Sequence, residues 1–574
     1  MKINLNKNKN TLYPIRQIEN LKDLVDSSAG LYGENNVFLR KDKPAGQFLP
    51  ITYQKLRDDM NALGTVLLNK NLKDKNIVII GENRYEWILS YLAVVNGVGV
   101  VVPLDRELPQ QDIENFINTS HASVIIYSDK IRNTIDNVKS NVKSIEYVIN
   151  MDSDAHEGNN YSLKKLLEEG YKLIRNQDRS YLDRAIDNEE TRIILFTSGT
   201  MGNSKGVMLS HKNICENIMN TSQYVDITSE DRALSVLPIH HTYECSCGIL
   251  IPLYKGACIV FCEGLKYIVK NMQEAKITVM VGVPLLYESM YRKIWRKVEK
   301  EGKAKKLRKG IFAAKKLKRI GIDISKKSFK AVHEALGGHV RLLISGAAAI
   351  NPEIVECFND LGIRMIQGYG MTECSPIITV NKDHYSKHGS AGLALPGTEI
   401  RIFEPNEEGI GEILCKSKSV MKGYFENEEE TKQVFLDGWL RTGDYGYIDE
   451  DSFLFITGRK KNVIVTKNGK NIYPEEIELQ LQKSDYIKES LIYGKEDAKS
   501  SDIVVACKIV IDQEYLDEME SDLTVDEVRS RIEKYIDSVN NNAAPYKRIK
   551  RIEIVSEFEK TTTKKIKRYG INVE

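Results

Sequence analysis

The residues with the clearest chemical potential form a run of glycines and hydroxyls, Thr197-Ser198-Gly199-Thr200-Met201-Gly202-Asn203-Ser204-Lys205-Gly206. The preceding Arg192-Ile193-Ile194-Leu195-Phe196 reads as a buried strand, and a helix is expected to begin near Ser210. Small residues let backbone N–H groups turn inward, and the hydroxyls and Lys205 add donors, so the loop suits a polyphosphate. It is not a Walker A loop, which needs Gly-Lys-Ser/Thr in that order. Here Lys205 precedes its glycine. An ordinary glycine-rich turn is the bland alternative.

A polyphosphate nucleotide brings Mg2+, which is usually held by one or two carboxylates and phosphate oxygens. Gln367-Gly368-Tyr369-Gly370-Met371-Thr372-Glu373 offers a carboxylate in Glu373, a donor in Thr372 and a flat ring in Tyr369 for a base. Ser345-Gly346-Ala347-Ala348-Ala349 is a strand end of small residues that lets backbone approach a base. In Gly438-Trp439-Leu440-Arg441-Thr442-Gly443-Asp444, the Asp444 carboxylate can accept from both ribose hydroxyls. Taken singly, a Thr-Glu pair is also a helix start and Gly-Asp a surface turn. Leu237-Pro238-Ile239-His240-His241-Thr242-Tyr243-Glu244 sets two histidines near Cys245, Cys247, Cys258 and Cys262. Those cysteine spacings fit no common zinc pattern and lie in apolar, strand-like sequence, so buried inert thiols are expected.

Together and in this order, the motifs resemble those of the adenylate-forming superfamily: acyl-CoA synthetases, adenylation domains of peptide synthetases and firefly-type luciferases. That family's loop reads Ser-Gly-Thr-Thr-Gly-x-Pro-Lys-Gly; this chain departs at Met201 and Ser204. The resemblance implies that Thr197, Ser198, Gly199, Thr200, Gly202 and Lys205 hold ATP. It adds Gly346, Ala347, Gln367, Gly368, Tyr369 and Gly370 on the AMP side, with Asp444 on the ribose and Arg459 on ribose or phosphate. Thr372 and Glu373 become catalytic residues, Glu373 as the Mg2+ ligand, and His241 matches the histidine near the acyl site. The gating tryptophan of some fatty acyl-CoA synthetases has no counterpart, since Glu244 and Cys245 follow.

In Gly458-Arg459-Lys460-Lys461 the family's hinge falls on Lys461, and in Lys467-Asn468-Gly469-Lys470 its CoA pantetheine contact falls on Gly469. Glu559-Lys560-Thr561-Thr562-Thr563-Lys564-Lys565-Ile566-Lys567-Arg568 resembles Pro-Lys-Thr-x-x-Gly-Lys-Ile-x-Arg, which places the catalytic lysine at Lys565. Glu559 and Lys564 depart from that pattern, and a register on Lys564 is the alternative. The implied activity is an ATP-dependent acid–CoA ligase, most similar to bacterial long-chain fatty acid–CoA ligases. Acid and Mg·ATP give acyl-AMP and pyrophosphate, and CoA then accepts the acyl group. An acyl-AMP ligase or acyl-carrier-protein synthetase remains open, as does, more remotely, an inactive nucleotide-binding protein at a membrane surface.

Long elements must position these groups. The chain has 574 residues, 42% hydrophobic and 28% charged, which excludes disorder and calls for at least two domains. Apolar β-branched runs at 76–81, 122–127, 192–196, 257–261, 278–283 and 340–345 alternate with amphipathic segments. An α/β fold follows: a large N-terminal domain of mixed, largely parallel sheets covered by helices, and a small mobile α+β C-terminal domain. The expected bounds are 1–458 for the large AMP-binding domain, 459–461 for the hinge and 462–574 for the small domain. Lys plus Arg is 82 against 80 acidic residues, so the net charge of +2 implies no general affinity for nucleic acid. Residues 291–330 nevertheless hold seventeen basic and three acidic residues. They read either as a solvated helical insertion or as a peripheral contact with an anionic membrane. Nine scattered cysteines, a polar N-terminus and the lack of a long uncharged apolar run lead to a cytoplasmic expectation, with the inner membrane face as the peripheral alternative. Oligomeric state is not legible.

Overall fold

A computed structural model of the chain describes residues 11–43, 46–197, 204–466, 470–496, 503–560 and 566–568. Two large sheets carry the first two-thirds. One has nine strands, running from Leu393–Ala394 through Ile377–Val380, Arg364–Gly370, Leu342–Ser345, Val279–Gly282, Arg232–Ser235, Cys258–Phe261 and Asn36–Lys41 to Phe48–Thr52. The other has eight, centred on the parallel set Val100–Leu104, Asn76–Ile80, Val124–Tyr127 and Tyr147–Asn150. Their strands are apolar on both faces because helices cover both. In Asn76–Ile80 every residue after Asn76 is buried. One core joins the two sheets through helices such as Tyr53–Asn69, Tyr85–Ala93 and His211–Ser222. Gly170 is required there: a Cβ on it would lie 1.9 Å from the Ala62 carbonyl oxygen, so Leu163–Arg175 packs backbone-close on Tyr53–Asn69.

A third sheet of five antiparallel strands occupies 398–459. The change of pattern expected at Gly458 comes earlier, where the first wholly antiparallel sheet opens with Thr398–Phe403. Trp439–Ile448 shows the half-buried alternation of such a sheet, and the expectation of largely parallel sheets holds only for the two larger ones. The last unit has strands Ile487–Glu496, Ile503–Ile511 and Ile549–Val555 with helices Pro474–Leu481 and Val525–Asn541. The helix Gln513–Met519 was not expected.

The described residues on either side of the glycine-rich run pair with each other. Thr191–Thr197 pairs antiparallel with Lys205–Ser210, and helix His211–Ser222 follows with Ser210 as its N-cap. The sequence reading had the helix start but not the second strand. Cys245 and Cys247 sit in the helix Tyr243–Leu250, not in strand-like sequence. The basic stretch forms two main helices, Pro284–Lys300 and Ala304–Arg319. Among the described residues no helix is long and apolar enough to cross a membrane.

Candidate active site

A cleft of about 3150 Å3 opens between the third sheet, the ends of the nine-stranded sheet and the C-terminal unit. It is lined by Thr197, His241, Gly346, Ala347, Gln367, Gly368, Tyr369, Gly370, Thr372, Glu373, Asp444, Arg459 and Lys461. Residues up to 264 positions apart in sequence thus meet at one place (from Thr197 to Lys461). Ser198, Gly199, Thr200, Gly202, Gly469 and Lys565 lie outside the described residues.

Glu373 is nearly dry. It sits in the short turn Thr372–Cys374 and is only 9% exposed. Burial raises its pKa, against a pull downward from the Tyr424 hydrogen bond and the charges of Arg459 and Lys205. The Tyr424 hydroxyl donates to Glu373 Oε1 at 2.9 Å. Lys205 Nζ lies 5.0 Å from the Tyr424 ring centroid and pairs with Glu430 at 2.5 Å. Tyr424 arrives there because its short strand pairs with Lys205–Ser210, Tyr424 opposite Val207. Lys205 itself lies behind Tyr424 and does not line the cleft.

Asp444 is held from two sides. The Tyr369 hydroxyl donates to its Oδ2 at 2.6 Å, and Arg459 Nε lies 3.2 Å from its Oδ1. Asp444 and Arg459 face each other across the antiparallel pair Trp439–Ile448 and Leu454–Arg459, so the sheet register itself joins two motifs separated in sequence. The Asp444 amide donates to Thr442 Oγ1 at 3.2 Å. A carboxylate fixed this way offers ready acceptors for a diol.

The Ser345-Gly346-Ala347 corner ends strand Leu342–Ser345. Tyr243 supports it from below, its hydroxyl donating to the carbonyls of Ile344 (3.2 Å) and Gly282 (3.3 Å). A Cβ on Gly346 would come within 2.7 Å of that ring. Ala347 has φ +68°, a left-handed conformation that a non-glycine residue holds at a cost of roughly 1–3 kcal/mol, and such strain clusters at binding sites. Gly370 is equally constrained, since a Cβ would lie 1.9 Å from the Pro376 carbonyl oxygen.

The His240 and His241 rings touch, centroids 4.0 Å apart with their planes tilted by 48°. Burial, then the neighbouring His241, pushes the His240 pKa well below the usual imidazole range, so that ring is neutral. Thr242 and Thr372 bring their hydroxyls within 3.5 Å of each other. Glu244, fully buried, has its carboxyl pushed up to about 8. The neighbouring thiols are inert: burial drives Cys245 up to about 12 and Cys258 to about 11.

Residues 34–425 match the AMP-binding enzyme family, and residues 461–571 match the AMP-binding enzyme C-terminal domain. The chain belongs to the AMP-binding enzyme family. It is an adenylate-forming acid ligase. Rat long-chain-fatty-acid–CoA ligase 5 is 30% identical over 502 residues, covering 80% of this chain and 71% of the relative. A Mycobacterium tuberculosis long-chain-fatty-acid–CoA ligase is 28% identical over 474 residues (79% and 75%). A chloroplastic long-chain-fatty-acid–acyl-carrier-protein ligase of Arabidopsis thaliana is 26% identical over 559 residues (85% and 76%). ATP-bound MatB from Rhodopseudomonas palustris superposes with a TM-score of 0.71 at 25% identity, over 96% of this chain and 97% of that one. The anthranilate CoA ligase AuaEII with anthranoyl-AMP gives 0.76 at 20% identity, over 96% of each.

AMP-forming ligases generally use Mg2+ with ATP, and Glu373 fits that need: a hard oxygen donor in a dry site, whose charge a cation would offset. Among the described residues no three His, Cys, Asp or Glu side chains cluster closely enough to cage a metal alone, so the phosphates would complete its shell. From the C-terminal unit of this AMP-binding enzyme, Glu476, Lys488, Lys560, Ile566 and Lys567 face the cleft. Lys560 and Ile566 form an isolated bridge, and Lys560 Nζ pairs with Glu489 at 2.6 Å. Sequence reasoning missed Tyr424, Glu430, Tyr243 and Glu412. Glu412 accepts from Arg441 and, at 3.0 Å, from Lys460 beside Lys461. Tyr243 stands inside the quoted histidine motif without an assigned role, the other three belong to no local motif, and only the packing reveals what all four do.

Proposed function

We propose that this chain joins a long-chain fatty acid to CoA. The observation that carries the reading is the make-up of the cleft beyond the nucleotide-suited cluster. Val236, Phe261, Ile268 and Leu286 also wall it, and its rim includes Leu265, Tyr267 and Leu285, each more than 40% exposed. Apolar walls that reach an exposed apolar rim suit a chain longer than a compact acid. The names of the rat and mycobacterial relatives support the same substrate class.

In this reading the acid's carboxylate oxygen attacks the α-phosphorus of ATP. The new bond is acyl O–P, and the α–β bridging P–O bond breaks to release pyrophosphate. Thr197, Ser198, Gly199, Thr200 and Gly202 hold the phosphates, joined by Lys205 once its ammonium leaves Glu430 and reaches past Tyr424 into the cleft. Gly346, Ala347, Gln367, Gly368, Tyr369 and Gly370 hold the base, and Asp444 and Arg459 the ribose. Glu373 would hold Mg2+, which would neutralise phosphate charge, Thr372 would donate to phosphate, and Lys565 would bridge carboxylate and α-phosphate. His241 faces the acyl group. Catalysis rests on positioning and charge neutralisation, with no covalent enzyme intermediate. The unit 462–574 then turns about 459–461, pivoting at Lys461, and Gly469 leaves room for pantetheine. The CoA sulfur attacks the acyl carbonyl and expels AMP. An acyl-carrier-protein acceptor is the second reading, favoured by the Arabidopsis relative.

Pyrophosphate release should be measured over acids of graded length, with and without CoA. Release that rises with chain length and yields thioester supports the proposal. Release confined to short acids, or without thioester when CoA is present, overturns it.

A further inference from the structure

The outer face of helix Ala304–Arg319 is built for a surface rather than for the cleft. From 304 to 322 there are eight basic residues and no acidic one. The helix has a clear inner side: Leu307, Ile311 and Ala314 pack on Phe329, Val332 and Leu361. Lys315 also belongs inward, paired with Glu356 and Asp360. The other side is different. Lys305, Lys306, Arg308, Lys309 and Lys316 are exposed, and none makes an ion pair with a described carboxylate within 4 Å.

Apolar groups stand among these charges. Phe312 is 61% exposed, Ile320 72% and Ile322 50%. Phe312, Lys316 and Ile320 follow at four-residue steps, so they share one stripe with Lys305 and Lys309. Lys316 Nζ lies 4.6 Å from the Phe312 ring centroid. Bulky apolar side chains left in water are relieved by burial, and the exposed cations beside them attract an anionic surface, so a partner that takes both gains from each. A polynucleotide would neutralise the lysines but leave Ile320 and Ile322 in water. An anionic bilayer satisfies both, with headgroups for the cations and the acyl boundary for the apolar groups.

We propose that this face docks on an anionic lipid surface, with Phe312, Ile320 and Ile322 entering the headgroup boundary and Lys305, Lys309 and Lys316 on the phosphates. The preceding helix Pro284–Lys300 lines the cleft through Leu285, Leu286, Glu288, Ser289 and Lys293. Docking therefore brings one cleft wall near the membrane. The inference does not depend on the identity of the acid.

The test is sedimentation of the full chain with vesicles of phosphatidylcholine, with and without phosphatidylglycerol, at low and high salt and with no acid or nucleotide present. The protein should partition to anionic vesicles, and Lys305→Gln, Lys309→Gln and Lys316→Gln together should lower that partition about a hundredfold, close to fivefold per lysine. Phe312→Ser should lower it several-fold at both salt concentrations, because its contribution is burial rather than charge. Both variants should keep the wild-type turnover of whichever acid the enzyme takes from solution, which also shows that they fold. Equal partition of the triple-lysine variant and the wild type would overturn the proposal. So would an undiminished Phe312→Ser, or tighter binding to a duplex oligonucleotide than to the vesicles.

Discussion

The two sides of the cleft are held by different physics. On the large-domain side the polar groups are buried and joined to one another: Tyr369 to Asp444, Tyr424 to Glu373, Tyr243 beneath Gly346. On the C-terminal side the unit keeps its own core, in which Ile464, Ile477, Ile492, Val505 and Ile532 meet no residue of the large domain's clusters. Besides the edge contact of Tyr473 with Tyr445, what joins it to the rest is largely charge. Arg292 and Arg296 both reach Asp512, at 2.9 and 3.0 Å, and Lys483 reaches Glu353 at 2.8 Å. A dry hydrogen-bonded wall is preorganised and costly to disturb, whereas ion pairs can be returned to water when the surfaces part. The contrast fits a fixed nucleotide side facing a detachable one.

The largest effect should come from residues that the detachable side is proposed to bring in turn. Removing one donor from a developing charge costs about 3–4 kcal/mol, or roughly a hundred- to thousandfold in rate. Lys565→Ala should therefore nearly abolish acyl-AMP formation yet still convert supplied acyl-AMP and CoA to thioester. Gly469→Leu should do the reverse. Each half-reaction measured separately gives the answer, and loss of both in either folded variant breaks the contrast between a fixed and an exchanging wall.

A smaller effect should come from the joint itself. Asp512 is buried, its side chain 5% exposed, between Arg292 and Arg296. Removing one partner of a buried pair commonly costs about 3–5 kcal/mol, but here the arginines can rehydrate if the unit swings away. Asp512→Asn should thus slow adenylation about ten- to thirtyfold and leave thioester formation from acyl-AMP unchanged, with a more extended particle by small-angle scattering. An unaltered scattering profile and rate would show that the joint does not depend on these charges.

The same arginines show what was legible in the sequence. Among the described residues, those singled out from Thr197 to Lys461 line one cleft, Lys205 excepted, because each motif is short enough to carry its own turn or strand end. Partners were not legible. The stretch 291–330 reads as one charge run, yet Arg292 and Arg296 are spent on an aspartate over two hundred positions away while Lys305 and Lys309 face water. Likewise Glu373 depends on Tyr424, which a two-residue strand pairing and the Thr431 hydroxyl hold in place. The antiparallel sheet before Gly458 escaped because its strands, such as Thr398–Phe403, are half exposed and lack the apolar runs that mark the parallel ones.

On the fixed side, Glu373→Gln should raise the Mg2+ concentration needed for adenylation several-fold, since a neutral amide is a weaker ligand for a hard cation. Tyr424 can still donate to the amide oxygen, so the fold should be spared. A Mg2+ titration that overlays the wild type would remove Glu373 from the metal site.

One group on the fixed side breaks its pattern. Neither carboxyl oxygen of Glu244 makes a well-aligned hydrogen bond among the described residues, although the Ser235 hydroxyl and the Val236 and Leu237 backbone lie near enough to pull its pKa down against burial. Both oxygens lie within 2.8 Å of where a Cβ on Gly248 would stand. Burial pushes its pKa from 4.5 to about 8. The folded chain therefore holds this proton up to about pH 8, while the unfolded chain releases it near 4.5. Between those values the folded state binds more protons, so this group's contribution to stability falls as pH rises through that window. Glu244→Gln removes the titration but keeps buried polar atoms, so only part of the loss should be recovered, about 1–2 kcal/mol at pH 8. In a chain this long that is a rise of about one to three degrees in Tm, largest at pH 8 and small at pH 5. Thermal melts of both proteins across this range check the sign. A lower Tm for Glu244→Gln at pH 8 would mean that the ionised carboxylate is satisfied in the folded state, and the large-domain wall would then be uniform after all.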